Sequence, residues 1–137
     1  GGVYRQPFVV QGTLEETTGE QLQTFARPRG QRVLSGETVA ALCAMLVQVV
    51  EEGTAQDAKG LPGGAGGKTG TAQTGQFAPE GAEYKNLWFA GFYPAEKPRY
   101  TVVVLQDRQQ TAAASSPEVF ARVCAALEAA GPAGAAK

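Results

Sequence analysis

The sequence contains no histidine and only three serines, Ser35, Ser115 and Ser116. None of them is followed three places later by a lysine, and none begins a Ser-x-Asn. A histidine-based triad is therefore excluded, and so is a serine activated by a lysine one helical turn away. Cysteine is scarce as well: Cys43 and Cys124 stand far apart, with no CxxC pair. Neither a zinc centre nor a thioredoxin-type redox motif can be built from them, and no metal or other cofactor is expected. Each lies in an apolar, helix-like stretch, so both read as buried free thiols, with a disulfide as the alternative. The longest apolar run, Thr38 to Val50, is interrupted by Gln48 and falls short of the roughly 20 residues that cross a bilayer. Charge of one sign is also lacking. Twelve Lys plus Arg against thirteen Asp plus Glu, with no basic run, exclude a nucleic-acid footprint. The opening Gly1-Gly2-Val3-Tyr4 has no charged leader, no apolar signal core and no initiator methionine, and reads as the middle of a longer polypeptide.

What is present suits one soluble globular core: 137 residues, 43% hydrophobic and 18% charged. Val3-Tyr4, Pro7 to Val10 and Leu22 to Phe25 predict extended segments around a polar Glu15 to Glu20 turn. Ser35 is placed to cap a helix in which Val39, Leu42, Cys43, Leu46, Val49 and Val50 recur at three and four places. Gly53 stands where a left-handed cap would end it. The apolar positions cover more than half of that helix's circumference, which predicts a helix sunk deep against a sheet. A glycine-rich loop over 56–67 leads to a strand over 68–77, and a second loop over 78–85 leads to an aromatic strand over 87–93. The turn Pro94 to Pro98 then reverses the chain into Tyr100 to Leu105, and both of these strands read as buried on two faces. Ser116 is expected to cap a final helix with Pro117 at its first position and Val119, Phe120, Val123 and Leu127 as its buried stripe. Gly131-Pro132 ends it, and 133–137 is expected to be a disordered tail. Short connections make consecutive strands antiparallel, so the fold class is α+β, an antiparallel sheet with flanking helices, in one domain over 1–132.

The chemistry concentrates in Gly66-Gly67-Lys68-Thr69-Gly70-Thr71-Ala72-Gln73. A phosphate-binding loop needs glycine five places before Gly67, where Pro62 stands, and it leaves a strand for a helix, whereas here a helix precedes. An edge strand with a solvated lysine is the plain alternative. Glycine at position 70 weakens a strand, however, and marks a place where another backbone approaches closely. A lysine, hydroxyls and side-chain-free backbone on one extended segment make one wall of an anion-binding, acyl-transfer cleft.

Lys-Thr-Gly belongs to the motif set of penicillin-binding proteins and class A β-lactamases. Here it stands within Gly-Lys-Thr-Gly-Thr-Ala-Gln. Before it comes a helix ending Val50-Glu51-Glu52-Gly53-Thr54-Ala55; after it come Trp88-Phe89-Ala90-Gly91-Phe92, a valine-rich strand and a closing helix. In this order of elements, nearly the whole chain resembles the C-terminal half of a penicillin-binding protein transpeptidase domain, of the fold shared with serine β-lactamases. The resemblance implies a five-stranded sheet whose third, fourth and fifth strands begin near Lys68, Leu87 and Tyr100. The first two strands, the Ser-x-x-Lys and the Ser-x-Asn would lie upstream of Gly1.

The implied activity is crosslinking of peptidoglycan stem peptides by serine acyl transfer, with β-lactams as mimics of the donor. Lys68 would supply the positive field, Thr69 and Thr71 would bind the substrate carboxylate, and Gly70 would let the peptide lie against the strand. The Thr71 N–H would be one oxyanion donor. The implied partners are the stem peptide, β-lactams and the remainder of the domain, with self-association through the bare edge of the 100–106 strand as a further expectation. The implied location is the outer face of the bacterial cell membrane, anchored by a segment not in this chain. The chain alone is expected to be inactive. A β-lactam sensor or degenerate binding module, and a serine β-lactamase fragment, are the alternatives.

Overall fold

A computed structural model describes residues 1–131. The chain falls into two compact units, one over Gly1–Ala41 and one from Leu42 onward, where a single domain is expected from the sequence. The tail predicted over 133–137 lies outside the described residues.

In the first unit, β1 (Val3–Tyr4) pairs antiparallel with β4 (Gln31–Arg32), and β2 (Gly12–Leu14) with β3 (Gln21–Thr24). The Glu15 carboxylate organises the turn between β2 and β3, accepting from the Thr18 N–H at 2.8 Å and from the Thr18 hydroxyl. The strand expected over Pro7 to Val10 does not form: those residues join no ladder, and Val9 is 99% exposed. Two adjacent valines suit a pleated surface only where a partner strand exists.

Helix α1 (Gly36–Glu51) starts as the sequence predicts, with the Thr38 N–H donating to Ser35 Oγ at 3.1 Å. Its end is different. Gly53 is not left-handed; its N–H donates to the Gln48 carbonyl at 3.1 Å, and a Cβ there would lie 2.8 Å from Val49 Cα, so glycine serves a close approach. Nor is the helix sunk deep. Val50 is its one fully buried residue, Cys43 is half-buried, and Leu42 and Met45 are exposed. An apolar surface that wraps most of a helix need be covered only along one stripe, here the end carrying Val49 and Val50.

The second unit contains a 3-10 turn (Gln56–Ala58) and the strands β5 (Gly66–Phe77), β6 (Glu83–Tyr93) and β7 (Tyr100–Gln109), followed by α2 (Ser116–Ala130). The strands form one antiparallel sheet in the order β5-β6-β7. Lys68 stands opposite Ala90, Thr69 opposite Phe89 and Gly70 opposite Trp88; on the other side Phe89 faces Val104 and Ala90 faces Val103. Strand side chains alternate between faces, so each sheet face can be read from this register. One face carries Phe89, Tyr93 and Val104, buried with Phe120 and Cys124 of α2, Val50, and Ala55, Ala58 and Ala65. The Phe89 and Phe120 rings meet edge to face, centroids 4.8 Å apart and planes at 69°, a geometry favoured by their quadrupoles.

The opposite face is open: Trp88, Val103 and Leu105 are 38%, 58% and 45% exposed. The expectation that β6 and β7 are covered on both sides is therefore corrected. Among the described residues β7 is an outer strand with α2 over one face only, and the unbroken run Val102 to Leu105 supplies apolar side chains to both faces regardless. The cap of α2 is also one residue earlier than predicted. Ser115 Oγ accepts from the Glu118 N–H at 3.2 Å, which puts Ser116 and Pro117 inside the first turn. Of the expected stripe, Phe120 is fully buried, Val119 packs against the core and Leu127 is half-buried, while Val123 is 39% exposed and Cys124, with Ser116 and Pro117, is buried instead. Both cysteines are free thiols, Cys124 buried. Burial without a charged neighbour pushes the Cys124 thiol up to about 11.

Candidate active site

β5 begins inside the core and emerges from it. Gly66 and Gly67 are buried, Lys68 is exposed, Thr69 and Gly70 are half-buried, and Thr71 is exposed. The two leading glycines are dictated by neighbours: a Cβ at Gly66 would lie 2.4 Å from the Phe92 ring, and one at Gly67 2.4 Å from the Phe89 ring. Gly70 has no such neighbour, the nearest atom to its hypothetical Cβ being Trp88 Cβ at 3.4 Å. Among the described residues β6 flanks β5 on one side only, so the other side of this stretch is an open ladder edge.

A cleft of about 170 Å³ lies along this stretch, lined by Thr54, Thr69, Gly70, Thr71, Leu87, Trp88 and the start of α2 at Ser115, Ser116 and Pro117. The structure thus brings three of the four sequence-predicted residues, Thr69, Gly70 and Thr71, to one cavity. Lys68 does not line it. Alternation directs its side chain to the face of its partner Ala90, yet its ammonium turns to the strand, Nζ donating to the Thr69 carbonyl at 3.1 Å and to Thr69 Oγ1 at 3.3 Å. Thr69 Oγ1 in turn lies 3.0 Å from Thr54 Oγ1.

The two cleft serines have structural partners. Ser115 Oγ donates to Asp57 Oδ2 at 2.6 Å while capping α2, and Ser116 Oγ donates to Gln106 Oε1 at 2.8 Å. Neither hydroxyl meets an amine, so neither is set up as an activated nucleophile. Among the described residues no group of three or more acidic or Cys side chains is arranged to hold a metal. The wall offers what an anion needs: a cation, three threonine hydroxyls, and main-chain N–H groups on a strand edge.

The cleft residues that sequence reasoning did not place at the site are Thr54 and the Ser115-Ser116-Pro117 corner, of which Ser116 and Pro117 are expected only to start a helix. Thr54 was visible as part of Glu51-Glu52-Gly53-Thr54-Ala55, but no periodicity links it to Thr69. The turn after α1 does so, anchored by the Ala55 N–H to the Val49 carbonyl at 3.1 Å and by Lys59 Nζ to the Glu51 carbonyl at 3.0 Å.

A sequence profile described as the penicillin binding protein transpeptidase domain matches residues 1–125. Penicillin-binding protein PbpB of Mycolicibacterium smegmatis is 35% identical over 133 residues, covering 85% of this chain and 19% of the relative. Penicillin-binding protein 1F of Bacillus subtilis is 38% identical over 94 residues, covering 68% of this chain and 12% of the relative. Among solved structures, apo penicillin-binding protein 3 of Mycobacterium tuberculosis superposes with a TM-score of 0.74 at 29% identity, over 96% of this chain and 33% of that one. The same protein in complex with ampicillin gives 0.72 at 29% identity, over 94% and 31%. The chain therefore spans a fifth or less of the length of these curated relatives.

Proposed function

Because the chain belongs to the penicillin-binding protein transpeptidase domain family, we propose that it supplies the Lys-Thr-Gly wall of a peptidoglycan D,D-transpeptidase. The observation that carries this reading is the cleft along β5, lined by Thr69, Gly70 and Thr71, with the Lys68 ammonium beside it bonded to the Thr69 hydroxyl. The substrate is a stem peptide ending in D-Ala-D-Ala, or a β-lactam in its place.

The terminal carboxylate binds the Thr69 and Thr71 hydroxyls in the field of Lys68. Charge-assisted hydrogen bonds of this kind are about twice as strong as neutral ones. Gly70 lets the extended substrate lie against β5 as a transient strand whose register is fixed by main-chain hydrogen bonds. Attack by a serine outside this chain converts the scissile carbonyl to a tetrahedral oxyanion. The Thr71 N–H is one of its donors, worth about 3 kcal/mol if typical of such a group. Collapse expels the leaving D-alanine, and an amine from a neighbouring stem takes the acyl group. Lys68 assists proton movement through a serine that the rest of the domain provides.

The free side of β7 is where the remainder of the domain, or a second copy, adds a strand. The protein works on the outer face of the cell membrane, where its substrate is. The test is labelling by a fluorescent penicillin. The complete protein carrying this sequence should label, Lys68→Ala should slow labelling by about a hundredfold, and residues 1–137 alone should not label. Covalent labelling of a serine in 1–137 alone would refute the assignment.

A further inference from the structure

We propose that Thr54 is a positioning residue that sets which way the Thr69 hydroxyl donates. The inference rests on the reading of Thr69 as a carboxylate ligand and adds to it a residue to which that reading gives no part. A threonine hydroxyl has one proton and two acceptor lone pairs. Lys68 Nζ, 3.3 Å from Thr69 Oγ1, can only donate, so Thr69 accepts there. The second partner, Thr54 Oγ1 at 3.0 Å, can act either way. If Thr69 donates to Thr54, its single proton is used and an anion in the cleft meets only lone pairs. If Thr54 donates, Thr69 accepts twice and its own O–H is free to point at the anion.

A carboxylate, which only accepts, selects the second arrangement. Thr54 and Lys68 then both polarise the Thr69 oxygen and strengthen the bond it gives, as hydrogen-bond chains do. Packing does not explain Thr54, which is exposed beside the buried Ala55. What holds it is the turn after α1, where the Gly53 N–H donates to Gln48 and the Ala55 N–H to Val49, both at 3.1 Å. Branching at Cβ also leaves few side-chain rotamers. Thr54 is thus a stiff hydroxyl on an anchored turn, directed at the group whose proton matters.

The test uses the complete protein carrying this sequence and measures the second-order acylation rate with benzylpenicillin and with its methyl ester, in which the carboxylate is masked. Thr54→Val, which keeps the shape and removes the hydroxyl, should slow acylation by benzylpenicillin about tenfold. Thr54→Ser should restore the rate to within about twofold. In a Thr69→Val background, or with the methyl ester, Thr54→Val should have no further effect. Thr54→Ala replaces the valine variant if valine prevents folding, with thermal melting as the check. The proposal is overturned if Thr54→Val acylates at the parental rate, if its loss persists with the ester or without the Thr69 hydroxyl, or if serine fails to rescue. A parental rate for Thr69→Val itself would overturn the carboxylate reading and this inference together, whereas a loss at Thr69 with none at Thr54 would overturn this inference alone.

Discussion

At Gly67 an added Cβ would lie 2.4 Å from the Phe89 ring and 2.7 Å from the Ala90 carbonyl, whereas three residues along the same strand, at Gly70, nothing approaches closer than 3.4 Å. The first glycine is required by the protein's own packing: the Phe89 ring folds over the backbone of Gly67 and Gly91 to reach Phe120. The second is not required by any neighbour among the described residues. Its missing side chain leaves clear the face that it shares with Lys68 and Trp88, on the other side of the strand from the Thr69 and Thr71 side chains. One segment therefore carries two kinds of glycine, one fixed by the packing around it and one that no close neighbour demands.

The contrast can be broken by substitution in the complete protein. Gly67→Ala should cause the largest loss of stability, about 2–3 kcal/mol in denaturant or thermal unfolding, because the Phe89 ring and the β6 backbone cannot both move away. Gly70→Ala should change the unfolding free energy by no more than about 0.5 kcal/mol and slow penicillin acylation about tenfold or more by obstructing the strand proposed to bind there. Equal stability losses at the two positions would erase the distinction.

Ser115 belongs to the cleft wall by position but to the fold by its bonds. Ser115→Ala should cost about 1 kcal/mol through loss of the α2 cap while changing acylation little after correction for folded fraction. An effect confined to alkaline pH is expected at Cys124, in the core. Its thiol is raised by burial from 9.0 to about 11, so the folded state keeps the proton longer than the unfolded state does. That contribution to stability is complete below pH 9 and fades as pH rises toward 11, a decline that Cys124→Ala should lack in pH-dependent unfolding.

The sequence was most legible where one local rule acts alone. The start of α1 at Ser35, the long strands through Lys68, Phe89 and Val103, and the antiparallel order all follow from spacing, caps and short connections. It misled where the outcome depends on what lies alongside. Val9-Val10 has strand character and no partner, and Val102 to Leu105 reads as doubly buried while one face stays open. The ends of β6 and β7 at Glu83 to Asn86 and Asp107 to Gln109 are polar, held by ladder bonds rather than by apolar alternation, and are not legible for that reason. In the site, the motif marked Lys68, Thr69, Gly70 and Thr71. It could not indicate that Lys68 reaches Thr69 from the other face, nor that Thr54 joins them across fifteen positions.

Trp88 is the chain's single tryptophan, it is 38% exposed, and it lines the cleft opposite Gly70. These residues therefore carry an intrinsic optical probe. A ligand held in the cleft as proposed would displace solvent from around the indole and shift its emission to shorter wavelength, so the proposal can be followed by fluorescence without attaching a dye.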